Sequence, residues 1–486
     1  MPGDAILVVD AGTSGLRAVA IDPSGDVLAT AAEPWPMFVP DDAAPFGREY
    51  DVARVECALH AMLVRDLVDR SRVAAIAFTG QREGIAFLDE SGRAVFASPN
   101  IDARASAEGL AIDAEFAGRV YETTGHLPSL MQVPAKLRWM REHRPEVFRR
   151  IRYVLPLSDW LASLLTHRSV ASRTLAAENG LLDIRNGRIA SELLDGLCGD
   201  VAFVPEIVSE GTVVGRAMPA GLPGVPVVLA GADTQCALVG MGCIAIGAAG
   251  VPAGWSAPVQ LVTSEPIVDG AQRTWSGMHV VPDRWIVESN AGETGRAWEW
   301  LCATLGVDVS AAGELAASAP VGSHDVMSVH GPRVMRASAM SAGVGMMSFP
   351  TPLVMSAPQR PDLLRAALEA TAYAIRSNLE QLEAVAGATV GTLQAGGGMS
   401  RSPLFTQTLC DVIDRPVTVA RSPETSAVGA AAIAAAAVGL HASLERAIAS
   451  MCGMTATLEP DSRASSEYDD LYQRWCDLAD HMERSP

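Results

Sequence analysis

The stretch from Ile6 to Ile21 reads I-L-V-V-D-A-G-T-S-G-L-R-A-V-A-I. Its first apolar run, Ile6 to Val9, predicts a buried strand that delivers Asp10 to its end. A second run, Arg17 to Ile21, follows at hairpin distance. In the turn between them, Gly12 and Gly15 leave backbone N–H groups uncovered, and Thr13 and Ser14 add hydroxyl donors. Such a turn can cradle phosphate oxygens, and a carboxylate beside it, Asp10, can hold a hydrated Mg²⁺. The same residues also make an ordinary tight hairpin, and the motif alone does not separate the two readings.

Three further turns stand at the ends of apolar runs. They are T-G-Q-R-E-G at Thr79, A-G-A-D-T-Q at Ala230 and A-G-G-G-M-S at Ala395. The runs before them, Val73 to Phe78, Val225 to Ala230 and Thr392 to Ala395, read as strands. In α/β sheets, ligands bind outside the carboxyl ends of strands. Between these strands the pattern predicts helices over Tyr50 to Asp69, across most of Pro134 to Leu165, and over Pro403 to about Ile413. Trp139 and Trp160 are expected core anchors. The segment Ala427 to Leu440, mostly alanine with glycine, suits a closely packed buried helix better than a bilayer span. The tail from Asp461 is expected to be helical and outside the main core.

Val225-Pro-Val-Val-Leu-Ala-Gly-Ala-Asp233-Thr echoes the plan of the first strand and turn. A small-residue turn, Pro252 to Ser256, falls where a second hairpin is due. The echo suggests two related α/β lobes joined near residue 240. With 486 residues the chain is long enough for both. Its net charge of −19 argues against a nucleic-acid partner and an anionic membrane surface. Eight cysteines without C-x-x-C spacing predict free buried thiols in a reducing compartment. The first residues show no basic region followed by an apolar core, and a cytoplasmic location is expected.

In their order and spacing the four turns resemble the FGGY carbohydrate kinases. So do L-S-D-W-L at Leu157, G-L-L-D at Gly180 and P-E-T-S-A-V-G-A-A at Pro423. The likeness spans nearly the whole chain. Within the family it is closest to autoinducer-2 kinases, through R-E-G-I at Arg82 and N-I-D-A-R-A at Asn100; the Q-R-E core also resembles glycerol kinases. The resemblance implies two actin-like, ribonuclease H-like lobes with an active-site cleft between them. Residues 1–240 would form the N-terminal lobe, with the substrate side and first phosphate motif. Residues 241–486 would form the C-terminal, nucleotide-side lobe and a helical tail. The implied activity is ATP-dependent phosphorylation of a hydroxyl on a small sugar, polyol or autoinducer-2-type dihydroxy ketone. ATP and Mg²⁺ are the implied cofactors, and a homodimer is one possible assembly.

The resemblance also implies roles. Asp10 corresponds to the Mg²⁺-associated aspartate, and Gly12, Thr13, Ser14 and Arg17 to the first phosphate motif. Asp233 corresponds to the catalytic base. A carboxylate within hydrogen-bond reach can take the proton of a hydroxyl as it attacks a γ-phosphate; the alternative is a helix N-cap. Arg82 donates and Glu83 accepts, so the pair can grip a polyol from both sides; the alternative is a surface ion pair. Asp102 either binds substrate or forms a supporting pair with Arg104. Gly396, Gly397, Gly398 and Met399 resemble the adenosine loop, or make a plain strand-to-helix turn. The second phosphate motif departs from the family's Gly-Thr-Ser. Here Gly254-Trp255-Ser256 puts an indole where a threonine hydroxyl is expected, with Ser256 one position on to supply it. Trp255 favours a rival reading, a silenced relative that senses sugar and nucleotide. Asp10, Asp233 and the Arg82-Glu83 pair favour the enzyme.

Overall fold

Every residue of the strand Ala5–Ala11 (β1) is buried. Its small and branched apolar side chains show no alternation, as expected of a central strand covered on both faces. The computed structural model describes residues 3–13, 15–65, 67–199, 203–218, 222–339, 345–350 and 357–484. Strand β1 runs antiparallel to Gly15–Ile21 (β2), and β2 to Val27–Pro34 (β3). On its other side β1 pairs in parallel with Val73–Gly80 (β4). Thr212–Arg216 (β5) closes the edge, antiparallel to Pro226–Ala232 (β6), and β6 is parallel to β4. The order is β5-β6-β4-β1-β2-β3.

A second sheet repeats the plan. Ala249–Pro252 (β7) is antiparallel to Pro258–Thr263 (β8). The meander continues through Trp275–Met278 (β9) and Trp285–Asn290 (β10), with β10 beside β8. Strand β7 then pairs in parallel with Leu393–Gly396 (β11), which pairs in parallel with Val417–Ala420 (β12). Met454–Leu458 (β13) closes the edge antiparallel. The order is β9-β10-β8-β7-β11-β12-β13. Two such sheets make a two-lobed, actin-like α/β fold.

The duplication foreseen in the sequence is present, but the echo matched the wrong strands. Pro226–Ala232 is a later parallel strand of the first sheet. The counterpart of the first hairpin is β7–β8, at the turn from Pro252. Strand-then-small-residues-then-acid is the common design of a strand end that faces a cleft, so it recurs on non-equivalent strands.

Two helices join the lobes. Asp233–Gly240 (α1) follows β6, and Thr425–Ala437 (α2) follows β12. Helix α2 is alanine-rich on every side, as a helix buried all round must be. It packs under the first sheet against Ile6, Val8, Ala75, Ala77 and Val228. A Cβ on Gly240 would stand 2.0 Å from the Thr425 carbonyl oxygen, and one on Gly429 would stand 1.8 Å from that of Cys236. The two helix backbones therefore touch, and only glycine fits at either point.

Other expectations are adjusted. The helix from Tyr50 is Val52–Leu63, and a further helix spans Ser106–Thr124. The stretch after Pro134 is interrupted by the strand Tyr153–Pro156, which pairs with Ile85–Leu88. Trp139 and Trp160 are buried as expected. The tail forms the helix Ser462–Arg484 (α3). It is not outside the core: Tyr468, Tyr472, Trp475 and Ala479 are buried in the second lobe. Its polar residues mark only the outer face of an amphipathic helix. Five of the eight cysteines are buried; Cys57 is exposed, and Cys452 and Cys476 are half-buried. Among the described residues no helix is long and apolar enough to cross a membrane.

Candidate active site

The first turn is held from behind. The Gly12 carbonyl accepts from the Trp35 indole at 2.6 Å and from Gln81 Nε2 at 3.1 Å. In a trans peptide the carbonyl and the following N–H point opposite ways. Tying the Gly12 carbonyl inward therefore turns the Thr13 N–H outward. Gln81 also accepts from the Asn100 N–H at 2.8 Å, and Asn100 Nδ2 donates to the Thr13 hydroxyl at 3.1 Å. Ser14 lies outside the described residues.

Register places Asp10 beside Thr79 of β4 and opposite Arg17 of β2. Burial pushes the Asp10 carboxyl up to about 6, with Arg17 opposing and Glu424 adding to the rise. Asp10 Oδ1 is buried and has no hydrogen-bond partner. Arg17 reaches across the lobes to pair with Glu424 of the P-E-T-S segment.

A cavity of about 520 Å³ lies between the lobes. Thr13, Arg82, Glu83 and Asp233 line it from the first lobe; Gly254, Trp255, Ser256 and Asn290 line it from the second. Asp233 opens α1, where Ala232 holds the N-cap position, and its Oδ1 accepts from the Thr234 N–H at 2.7 Å. Burial and the neighbouring Asp10 push the Asp233 carboxyl up to about 7, against the pull of Arg82. Glu83 sits at φ 56°, a left-handed conformation uncommon for any residue other than glycine. Its carbonyl accepts from Lys136 Nζ at 3.1 Å. Burial raises its carboxyl, with Arg82 as the main opposing charge.

Arg82 and Glu83 are not paired with each other as a surface ion pair. The Arg82 guanidinium is buried and bidentate to Glu288 on β10 of the second lobe, at 2.7 and 3.0 Å. Glu178 stands at 3.4 Å on the same nitrogen. Glu178 also accepts from Gln235 at 2.7 Å and faces His126 Nε2 at 3.1 Å. Burial alone would raise Glu178, but His126 and Arg82 hold it down to about 2. The Trp275 ring covers Arg82, with the guanidinium carbon 5.4 Å from its centre. Sequence reasoning missed Glu178, Glu288, His126, Gln235 and Trp275. The G-L-L-D motif lay two residues past Glu178, but nothing local to Glu288 points across the lobes.

Asp102 does not line this cavity. It is fully buried, accepts from Arg104 Nε at 2.9 Å and receives the Arg48 N–H at 2.9 Å. It therefore supports the wall behind Asn100.

A second cavity of about 800 Å³ adjoins the first and shares Gly254 and Trp255 with it. Gly398 and Met399 reach it, together with Trp298 and Ser402. Gly396 and Gly397 lie beneath as framework. Gly397 has φ +83°, and a Cβ there would stand 2.6 Å from the Ala253 carbonyl oxygen. The Met399 N–H donates to that same oxygen at 3.0 Å, so the loop leans directly on the second hairpin turn. Within that turn the Gly254 N–H already donates to the Ser256 carbonyl at 3.0 Å. The Arg296 guanidinium lies 5.5 Å from the centre of the Trp255 ring.

Two equivalent sheets facing a cleft, with glycine turns on both sides and a carboxylate pair on one, define an actin-like phosphotransferase architecture. Residues 5–240 match the N-terminal domain of the FGGY family of carbohydrate kinases, and residues 252–438 its C-terminal domain. The chain belongs to that family and is a carbohydrate kinase. It is 30% identical to an autoinducer-2 kinase of Klebsiella pneumoniae, over 97% of this chain and 92% of that protein. Identity to an autoinducer-2 kinase of Yersinia pestis is 29%, covering 91% and 88%. A xylulose kinase from Rhodospirillum rubrum superposes with TM-score 0.82 at 25% identity, covering 99% of both chains. A glycerol kinase from Plasmodium falciparum, solved with ADP, superposes with TM-score 0.85 at 18% identity, covering 98% of both.

Proposed function

We propose that the protein transfers the γ-phosphate of ATP to a hydroxyl of a small sugar, polyol or autoinducer-2-type dihydroxy ketone. The observation that carries this reading is the shared cavity. Asp233 and the unpaired carboxylate of Glu83 face the same space as Thr13 and the Gly254–Ser256 turn. Glu83 accepts hydrogen bonds from substrate hydroxyls and fixes which one faces Asp233. Asp233 takes the proton of that hydroxyl as it attacks phosphorus. Its raised proton affinity suits the task, because a base titrating near pH 7 both ionises and accepts a proton there. Lobe closure around the pair excludes water, the competing acceptor.

The adenosine end fits the second cavity, with the base against Gly398 and Met399. Mg²⁺ fits Asp10, whose unpartnered buried oxygen is acceptor-only chemistry, with Asp233 nearby raising the need for positive charge. Bound there, the ion would neutralise charge on the phosphates.

The test is a kinase-coupled screen over glycerol, pentuloses, pentitols, hexonates and the autoinducer-2 precursor. Transfer to at least one uncharged polyhydroxy compound is expected. No ADP release above background with any of them would sink the reading in favour of a silenced sensor.

A further inference from the structure

The two glutamates around Arg82 decide which charge the substrate can carry, given the kinase reading above. Arg82 is the guanidinium in the inner wall of the substrate cavity. Its fork is filled by Glu288 at 2.7 and 3.0 Å, with Glu178 at 3.4 Å. Glu288 is itself held in place: Gln260 Nε2 donates to it at 2.7 Å, and Asn290 Nδ2 lies 3.4 Å away. The remaining charged groups of the wall are Glu83, Asp233, Glu293 and Arg336. Arg336 and Glu293 sit in exposed positions and have partners of their own, Glu483 at 3.7 Å and Arg296 at 3.7 Å. The inner cavity thus holds two open carboxylates and a cation already neutralised.

A free guanidinium in a pocket is the natural receptor for a carboxylate, through two parallel N–H···O bonds. With Glu288 in that fork, an incoming carboxylate meets Glu83 and Asp233 and loses its hydration without a partner. Hydroxyl groups meet acceptors instead, and the apolar faces of Leu127, Trp275 and Met335 match C–H surfaces. We infer that this cleft takes an uncharged polyhydroxy substrate and rejects its carboxylate-bearing counterpart, and that Glu288 sets the preference by occupying Arg82. Glu288 is a specificity-determining residue that acts through Arg82. The selectivity is built by repulsion as much as by attraction.

The experiment pairs the best uncharged substrate with the aldonate of the same carbon number. For wild type, kcat/KM should favour the uncharged compound by about 100-fold or more, since like charges in a closed site repel strongly. Glu288→Gln keeps the shape and removes the charge. It should narrow that ratio by about tenfold or more, mainly through a lower KM for the aldonate. A merely structural role would weaken both substrates alike and leave the ratio where it was. Glu178→Gln removes the longer contact and should narrow the ratio less, which keeps the test open if Glu288→Gln does not fold. Thermal shift of wild type with each compound reads binding without turnover. Stabilisation by the uncharged compound alone supports the inference, even if no transfer occurs and the kinase reading fails. Equal stabilisation by both, stabilisation by neither, or an unmoved ratio in folded Glu288→Gln overturns it.

Discussion

The two hairpins at the heart of the lobes share topology and differ in chemistry. The first, β1–β2, carries Asp10 and Arg17 at its mouth and lies beside Asp233 and Glu83. The second, β7–β8, carries Ala253, Gly254, Trp255 and Ser256, and its neighbours are Gly398 and Met399. One frame has thus been used twice: once to concentrate carboxylates, once to build a shaped wall of backbone and indole. In the reading proposed above, the acid-base chemistry, the metal-binding carboxylate and the hydroxyl-binding Glu83 lie on the first side of the cleft, and the second hairpin supplies the nucleotide wall. Substitutions at the first hairpin and Asp233 should act on turnover and metal dependence, and those at the second hairpin on affinity and range.

Asp233→Ala is the strongest way to break that division. It should cut kcat by on the order of 10²–10⁴, with circular dichroism unchanged. Near-normal turnover would remove Asp233 from the chemistry. In wild type, the rate should rise with pH and level off above about 7, where Asp233 is ionised. Next comes Asp10→Asn. The half-saturating Mg²⁺ concentration should rise on the order of 10–100-fold, while sugar binding measured by calorimetry stays near wild type. Lost sugar binding with intact Mg·ATP binding would mean that the two roles are reversed.

A stability measurement sharpens the same contrast. The Asp233 carboxyl ordinarily titrates at 3.8 and here at about 7. Between those values the folded state binds more protons than the unfolded one, so stability falls as pH rises through this window. The loss is complete above about 7. Asp233→Asn should therefore raise Tm by on the order of a few degrees at pH 8, and the gain should vanish near pH 4. An equal gain at both pH values would point to packing rather than charge. Trp255→Thr, on the second side, should have the smallest effect. Turnover on the best substrate should hold or rise, and the range of accepted substrates should change because the ring lines both cavities. A collapse of kcat to the level of Asp233→Ala would put Trp255 in the chemistry and erase the division.

Much of the frame was legible because strands and glycine turns are local. Ile6–Val9, Val73–Phe78 and Pro403–Ile413 follow from runs of a few residues, and their placement in two lobes is what the family resemblance carried by the ordered turns implies. The network around Arg82 was not legible. Glu178 and Glu288 stand 96 and 206 positions from Arg82 along the chain, and each of the two reads as an ordinary surface charge in its own stretch. The buried face of α3 was misread for a related reason. A helix with one apolar stripe looks polar by composition, and only its packing shows which side is covered.

Helix α2 comes late in the chain yet roofs the first sheet, with Gly429 and Gly240 letting two backbones touch. A cut between residues 240 and 252 would therefore not yield two self-sufficient pieces. The first would leave Ile6, Val8, Ala75 and Ala77 open to water, and the second would carry a bare alanine rod. The halves should be soluble only when produced together, as a complementing pair, and the uncut chain should melt in one calorimetric step rather than lobe by lobe.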